Sequence, residues 1–369
     1  MAQPSLSAAE MPKLLFVTKY IDHILSFFLE RLSQDFELTI VVDMKNRWTG
    51  RLVSAGIELH HLEPRSKFDR SFRDGVEALR GGREFDLVQC FHGNSQLSNL
   101  IRWNARRSPL IAYRARIGHL KFRENPTAYW NARNPTLTAV AAVSSAVKAY
   151  LESFRFLKAP NVHVLHHGIN RPWVESEIAS PYGLREALGI DPDALIVASL
   201  AALRPVKRFD YVVHAAEALQ KEPVHFVHIG EPKGWDRKTA HLENVHFIGR
   251  QTEPLPMLAD ADVFAMTSHN EAFGRANIEA MACGLPVIGS NTGGLLDIVE
   301  PGETGQLFES SSPDAFADAV RSYLSDRGAV ARHGQNAIAR VDRLFSTEKM
   351  AEGYRNLYID ILARQDATA

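Results

Sequence analysis

From Pro12 onward, short continuous apolar runs alternate with stretches whose apolar residues recur at helical spacing. That alternation predicts a parallel α/β sheet in each half of the chain. KLLFVT (Lys13–Thr18) predicts a first strand, followed by an amphipathic helix around His23–Ser33. LTIVVD, IELHHL, FDLVQC, LIAY and VAAVS predict further buried strands, with helices near Phe72–Arg80, Gln96–Arg106 and Ala146–Phe156. VHVLHHGIN (Val162–Asn170) ends this half, and the proline-bearing stretch 171–193 reads as a link. The pattern then restarts. ALIVASL (Ala194–Leu200), VHFVHIG, VHFIG, DVFAMTS and PVIGS predict strands. Helices are expected over Phe209–Gln220, briefly at Pro256–Ala261, from Pro313, from about Ala329 and over Thr347–Ala363. The expected organisation is a disordered lead (1–12), a Rossmann-like domain (13–170), a linker (171–193), a second Rossmann-like domain (194–345) and a closing helix and tail (346–369). Two doubly wound domains facing a cleft is the economical α/β architecture, because ligands of such sheets bind beyond the carboxyl ends of the strands.

Charge adds an asymmetry to this picture. The formal net charge is −1, yet residues through Asn170 hold 23 Lys and Arg against 15 Asp and Glu, so +8, and the remainder 19 against 28, so −9. A basic first half suits an anionic partner. No nucleic-acid-binding motif accompanies the charge, so an anionic membrane surface or a charged lipid-linked acceptor fits better, beside the plain alternative of a solvated arginine-rich face. Cys90 and Cys283 are the only cysteines, without disulfide or zinc spacing, which points to a reducing compartment. MAQPSLSAAEMPK lacks a basic region followed by an apolar core, so a lead rather than a signal peptide is expected, with Met11 as an alternative start. No run approaches the roughly 18–20 apolar residues of a membrane span. A cytoplasmic protein is expected, with any membrane contact peripheral, on the inner face of the cytoplasmic membrane.

The chemistry concentrates in NEAFGRANIEAMACGLPVIGSNTGG (Asn270–Gly294). A helix beginning near Ala272 would place Glu271 and Glu279 about eight residues apart, roughly 12 Å along its axis. Hydrolytic carboxylate pairs stand about 5–9.5 Å apart, so this span instead suits two carboxylates gripping hydroxyls on either side of an anion. Gly274, without a Cβ, would let a phosphate approach the unpaired N–H groups and positive dipole of the helix start. A sugar nucleotide has that layout.

This stretch resembles the donor-site signature of retaining, nucleotide-sugar-dependent glycosyltransferases of family 4, with the GT-B fold. Glu271 and Glu279 match the two glutamates of its E-x7-E pattern, followed by EAMACGLPV and the Gly293-Gly294 loop. The resemblance is specific over Ala194–Glu309 and looser over Leu14–Asn170. It reaches the end through FSTEKMAEGYRNLY, similar to a closing helix that crosses back to the first domain.

The resemblance implies an acceptor-side first domain and a nucleotide-sugar-binding second domain. Glu279 would hold ribose hydroxyls and Glu271 hydroxyls of the transferred sugar, with the backbone of Phe273 and Gly274 against sugar and diphosphate. Lys207 in LRPVK would neutralise the diphosphate. Ala202 stands where the family has an arginine, leaving Arg204 as the substitute. Fixed cations and N–H groups stabilise the charge that a departing nucleoside diphosphate gains. Gly230 reads as a nucleotide-side turn, Arg250 as a base neighbour or a surface residue, and Asp297 as a helix-start or loop residue. The family's glycine loop after the first strand is replaced by VTKYIDHILSFF, leaving Lys19 and Asp22 as substitutes. His92 and His119 are the two candidates for a histidine that orients the acceptor or supports transition-state charge, with His119 preferred. Arg102, Trp103, Arg106, Arg107, Arg114, Arg116, Lys121 and Arg123 form a basic-aromatic cluster suited to lipid phosphates.

The implied activity is retaining, metal-independent transfer of a sugar from a UDP- or GDP-type donor to a saccharide acceptor, in cell-surface polysaccharide or glycolipid synthesis. It requires no metal and no cofactor beyond the nucleotide sugar, and no nucleic-acid partner. A small anionic acceptor, a sugar-nucleotide epimerase and a degenerate scaffold homologue stand as alternatives.

Overall fold

The computed structural model describes residues 11–82, 84–104, 107–118, 120–154 and 161–367. The chain divides into two compact units. One comprises residues 1–143, 147–166 and 347–369, and the other 144–146 and 167–346.

In the first unit, β1 (Lys13–Thr18), β2 (Glu37–Val42), β3 (Glu58–His61), β4 (Leu87–Cys90), β5 (Leu110–Arg114), β6 (Leu137–Ala142) and β7 (Asn161–Val164) form one sheet. Their order is β3-β2-β1-β4-β5-β6-β7, and every pairing is parallel. Phe16 in β1 lies opposite Ile40 in β2 and Gln89 in β4. Strands covered on both faces need apolar residues at consecutive positions, and β1 is buried from Leu14 through Thr18. Leu15, Val17, Val88 and Leu110 belong to one core cluster with Phe72 and Val76 of the helix Arg70–Arg80.

The last helix, Thr347–Asp366, groups with this unit. Tyr354 packs on Phe28 at 5.0 Å, and Tyr358 donates from its hydroxyl to Gln89 Oε1 at 3.0 Å. Arg355 pairs with Asp35 at 3.1 Å. The closing helix therefore ends with its aromatic face built into the first sheet's core.

The second unit repeats the scheme with β8 (Leu195–Leu200), β9 (Val224–Ile229), β10 (Val245–Gly249), β11 (Val263–Met266), β12 (Val287–Ser290) and β13 (Gly305–Phe308). The order is β10-β9-β8-β11-β12-β13, again parallel throughout. Its core joins Val197, Phe226, Val263 and Ile288 to Phe316 and Val320 of the helix Pro313–Ser325.

The stretch 171–193 is more than a tether. It carries two short helices, Arg171–Glu177 and Leu184–Leu188, that are bonded into the second unit. Asp260 accepts from the N–H groups of Gly183 and Leu184 at 2.7 and 3.0 Å, and Arg185 pairs with Asp262 at 2.6 Å. Of the three prolines there, Pro172 sits in the first turn of its helix, where no N–H is required. Among the described residues, no helix is long and apolar enough to cross a membrane.

Candidate functional site

Strand order reverses between β8 and β11 in the second sheet, and ligands of doubly wound sheets bind at such a point. The loop leaving β8 carries Arg204 and Lys207, and the loop leaving β11 carries Glu271 and Phe273. Backbone bonds tie the two loops together. Thr267 donates from Oγ1 to Lys207 O at 2.7 Å, and His269 N donates to Val206 O at 2.9 Å. Lys207 is the last residue of a single 3-10 turn, Pro205–Lys207, and its Nζ donates to Glu271 Oε2 at 2.6 Å. Both side chains are mostly covered, 15% and 17% exposed, so this pair is screened less than a surface pair. Lys207 and Glu271, expected from the sequence at a phosphate and at a sugar, meet each other directly.

The helix after Glu271 begins later than its sequence suggests. It spans Arg275–Ala282 with Gly274 as its N-cap, at φ +79°. Glu271 consequently stands on the loop and Glu279 in the helix, so the expected 12 Å of shared helix axis does not exist. Two contacts enforce this. Gly294 N donates to Glu271 O at 2.8 Å, which removes a carbonyl that a longer helix would need. A Cβ on Gly274 would meet Asn277 Nδ2 at 2.4 Å and Glu271 Cγ at 2.9 Å. No side chain caps the helix, which leaves its positive end facing the Glu271 loop. Phe273 anchors that loop from below, 2% exposed and packed on His167 and Phe345 at ring separations of 5.7 and 5.9 Å.

Gly293 and Gly294 are positions of close backbone approach. A Cβ on Gly293 would lie 2.1 Å from Glu271 O, and one on Gly294 would lie 2.3 Å from Ala272 O. The two glycines let the loop after β12 pass directly over the backbone that carries Glu271. Gly230 is likewise a close-approach position, since its Cβ would meet Ala201 O at 2.3 Å. Glu279 is 9% exposed, in the second turn of the helix. Burial, with a smaller push from the Glu279 charge, raises the nearby Cys283 thiol to about 12, which leaves it unreactive at neutral pH. Arg204 is exposed; its carbonyl accepts from Lys207 N at 2.8 Å, while its guanidinium has no hydrogen bond or ion pair among the described residues. Arg250 is exposed on the surface. Asp297 accepts from Ser145 N at 2.7 Å within this unit, a structural bond that fits its reading as a loop residue.

In the first unit the order reverses between β1 and β4, and His92 lies there. Its Nδ1 is 2.9 Å from Thr18 Oγ1 at the end of β1, and its ring stacks on Tyr20 at 4.7 Å. Asp22, offered as a substitute for the glycine loop, caps the helix His23–Leu32 by accepting from Leu25 N at 3.0 Å. Lys19 is exposed. His119 and Arg106 lie outside the described residues.

The rest of the basic-aromatic cluster does not form one patch. Trp103 is buried in the core and donates to Glu77 at 2.7 Å, and Arg107 pairs with the same carboxylate. Arg102 stacks over Phe68 at 4.2 Å, Lys121 faces Glu124 at 3.7 Å, and Arg123 is exposed. Arg114 and Arg116 line a pocket beside His92. His228, which the sequence reading passed over, is the penultimate residue of β9, against Gly230, with Nδ1 2.9 Å from Ser199 Oγ. Desolvation lowers it to about 4, so the ring is neutral.

Residues 183–340 match the family of glycosyl transferases group 1. The chain is 31% identical over 186 residues to N-acetyl-alpha-D-glucosaminyl L-malate synthase of Bacillus anthracis, covering 48% of this chain and 49% of that protein. It is 33% identical over 190 residues to D-inositol 3-phosphate glycosyltransferase of Mycolicibacterium gilvum, covering 48% and 42%. The chain thus spans about half the length of the curated relatives it matches. Among solved structures it resembles Anabaena HepE in complex with UDP, with TM-score 0.77, 20% identity and coverage of 94% and 100%. It also resembles sucrose-phosphate synthase from Thermosynechococcus elongatus, with TM-score 0.74, 19% identity and coverage of 96% and 100%. At such identities these two structures speak for the fold alone. The segment 183–340, which holds the Lys207–Glu271 pair, is thus similar to glycosyl transferases group 1, within a chain whose two parallel-sheet units have the architecture of its GT-B structural neighbours.

Proposed function

We propose that the protein is a retaining glycosyltransferase that moves a sugar from a UDP- or GDP-type donor to a hydroxyl of a saccharide acceptor. The observation that carries this reading is the 2.6 Å Lys207–Glu271 pair at the crossover point of the second sheet, beside an uncapped helix start. A nucleotide sugar joins a diphosphate to a sugar through one oxygen, so a cation and a hydroxyl-binding carboxylate in contact suit that junction. Lys207 takes the diphosphate charge, Arg204 adds a mobile second cation, and Glu271, held by Lys207, accepts from sugar hydroxyls. Glu279 holds the ribose. As the sugar–oxygen bond breaks, negative charge grows on the departing phosphate, and these fixed groups stabilise it without reorganising. The departing phosphate then receives the acceptor's proton in a front-face displacement. In this reading Lys207 and the helix start take the part a divalent metal plays elsewhere, and no cofactor beyond the donor is needed.

The first unit, with His92 at its own crossover point, is the acceptor side. The excess of positive charge before Asn170 supports a role in cell-surface polysaccharide or glycolipid synthesis, on the cytoplasmic face of the membrane. A second reading, a small anionic acceptor, is favoured by the names of the two relatives, which specify L-malate and D-inositol 3-phosphate.

A panel of nucleoside diphosphates tests the proposal through thermal stabilisation, which rises with ligand occupancy. UDP or GDP is expected to raise the melting temperature. Glu279→Ala is expected to weaken that response about tenfold, whereas Glu271→Ala keeps it and lowers turnover. A protein indifferent to every nucleotide is not this enzyme.

A further inference from the structure

The first unit contains a pocket of roughly 200 Å³ at the carboxyl ends of β4 and β5, lined by Phe91, His92, Tyr113, Arg114, Arg116 and Asn125 among others. No carboxylate is among the described residues that line it. Arg114, the last residue of β5, is held in place by a bond from Nη2 to Gly118 O at 2.6 Å, with the Tyr150 ring 6.0 Å away. Its Nε is shut away from water, and no atom of the described residues accepts from it. Arg116 is exposed, and neither guanidinium has an acidic partner among the described residues. Buried cations are ordinarily paired, because leaving one unpaired forfeits its hydration without return. Burial lowers the Arg114 pKa, Tyr150 works against that, and the Arg116 charge lowers it further, a balance that a bound anion would shift back toward the charged form.

From this geometry we infer that the pocket binds a phosphate group borne by the acceptor, with Arg114 and Arg116 as its two guanidinium ligands. Two forks of N–H donors match a phosphate dianion better than a single carboxylate. The His92 ring, on the wall of the same pocket and tied to Thr18, places the acceptor's sugar end at the sheet's crossover point. The inference rests on the reading of the first unit as the acceptor side, and it narrows that acceptor to a phosphate monoester.

The test is calorimetric titration of the full chain at low salt with inorganic phosphate, glucose 6-phosphate and glucose. Each is run on wild type, Arg116→Gln, Arg114→Lys and Lys207→Ala, with UDP and GDP titrated alongside. Phosphate and glucose 6-phosphate are expected to bind at least tenfold more tightly than glucose. Arg116→Gln should weaken both by about tenfold, and Arg114→Lys by several-fold with its melting temperature kept. Lys207→Ala should leave both within twofold, because its charge serves the other unit. Phosphate binding unchanged in Arg116→Gln, or lost in Lys207→Ala, would overturn the inference. If the nucleotides still bind in that case, the glycosyltransferase reading stands without it. If phosphate binding depends on Arg116 while no nucleotide binds, the pocket stands and the donor reading falls.

Discussion

Replacing Gly294 by alanine separates two uses of the Gly293-Gly294 loop. Gly294 has φ −74° and ψ −5°, a conformation alanine adopts freely, so the backbone itself raises no objection. Space does. The new Cβ would stand 2.3 Å from Ala272 O and 2.8 Å from Phe273 Cα, where real Cβ contacts stay beyond 3.0 Å. Relief requires a shift of more than half an ångström (about 0.7 Å) in backbone that Phe273 pins into the core. Overpacking of this kind costs about 1–3 kcal/mol. For a unit the size of the second, that lowers the melting temperature by about 2–12 °C.

The same displacement carries Glu271 away from Lys207, so nucleotide affinity and turnover fall with stability. Scanning calorimetry of the unliganded chain is the assay. Gly50→Ala is the control, in a helix with nothing within 4 Å of the added methyl, where a gain of about 0.5–1 kcal/mol is expected. Were the glycines there only to admit phosphate, Gly294→Ala would leave the unliganded melting temperature at the wild-type value and reduce affinity alone. That result would refute the packing argument.

His228 sets an acid limit. Its folded pKa is about 4 against an ordinary 6.5, so the unfolded chain takes up the proton first as pH falls. Stability is complete above pH 6.5, and about 2 of some 3 kcal/mol have gone by pH 5. Urea midpoints at pH 7 and pH 5 should converge for wild type and the non-titrating His228→Asn, and parallel pH slopes in the two proteins would exclude this role. For metal dependence, turnover in excess chelator is expected to match untreated enzyme, and activity lost to the chelator and restored by manganese would contradict the part given to Lys207.

The alternation of apolar runs was legible because parallel strands covered on both faces need several buried residues in succession. β1 and β10 lie where those runs place them. β13 escaped notice because GQLF, Gly305–Phe308, is buried only at its ends and offers no apolar run. The helix Arg47–Ser54 was announced only by a local signal, Asn46 and Thr49 exchanging bonds as a capping box. Trp103 and Arg107 read as surface chemistry, yet both are spent on Glu77, a partner that no local pattern discloses.

Residue types and their spacing were enough to predict two doubly wound domains and an anion site flanked by carboxylates in Asn270–Gly294, and the family resemblance of that stretch pointed to Lys207. The first two follow from local periodicity and from chemistry carried by single side chains. Tertiary structure decided where the helix after Glu271 starts, that Glu271 and Lys207 hold each other, and that Gly293 and Gly294 lie against the backbone of Glu271 and Ala272. Each of those is set by a contact between segments distant in the chain. The Glu271 carbonyl accepts from Gly294 N, across more than twenty residues of chain, and nothing within the Glu271 loop records that partner.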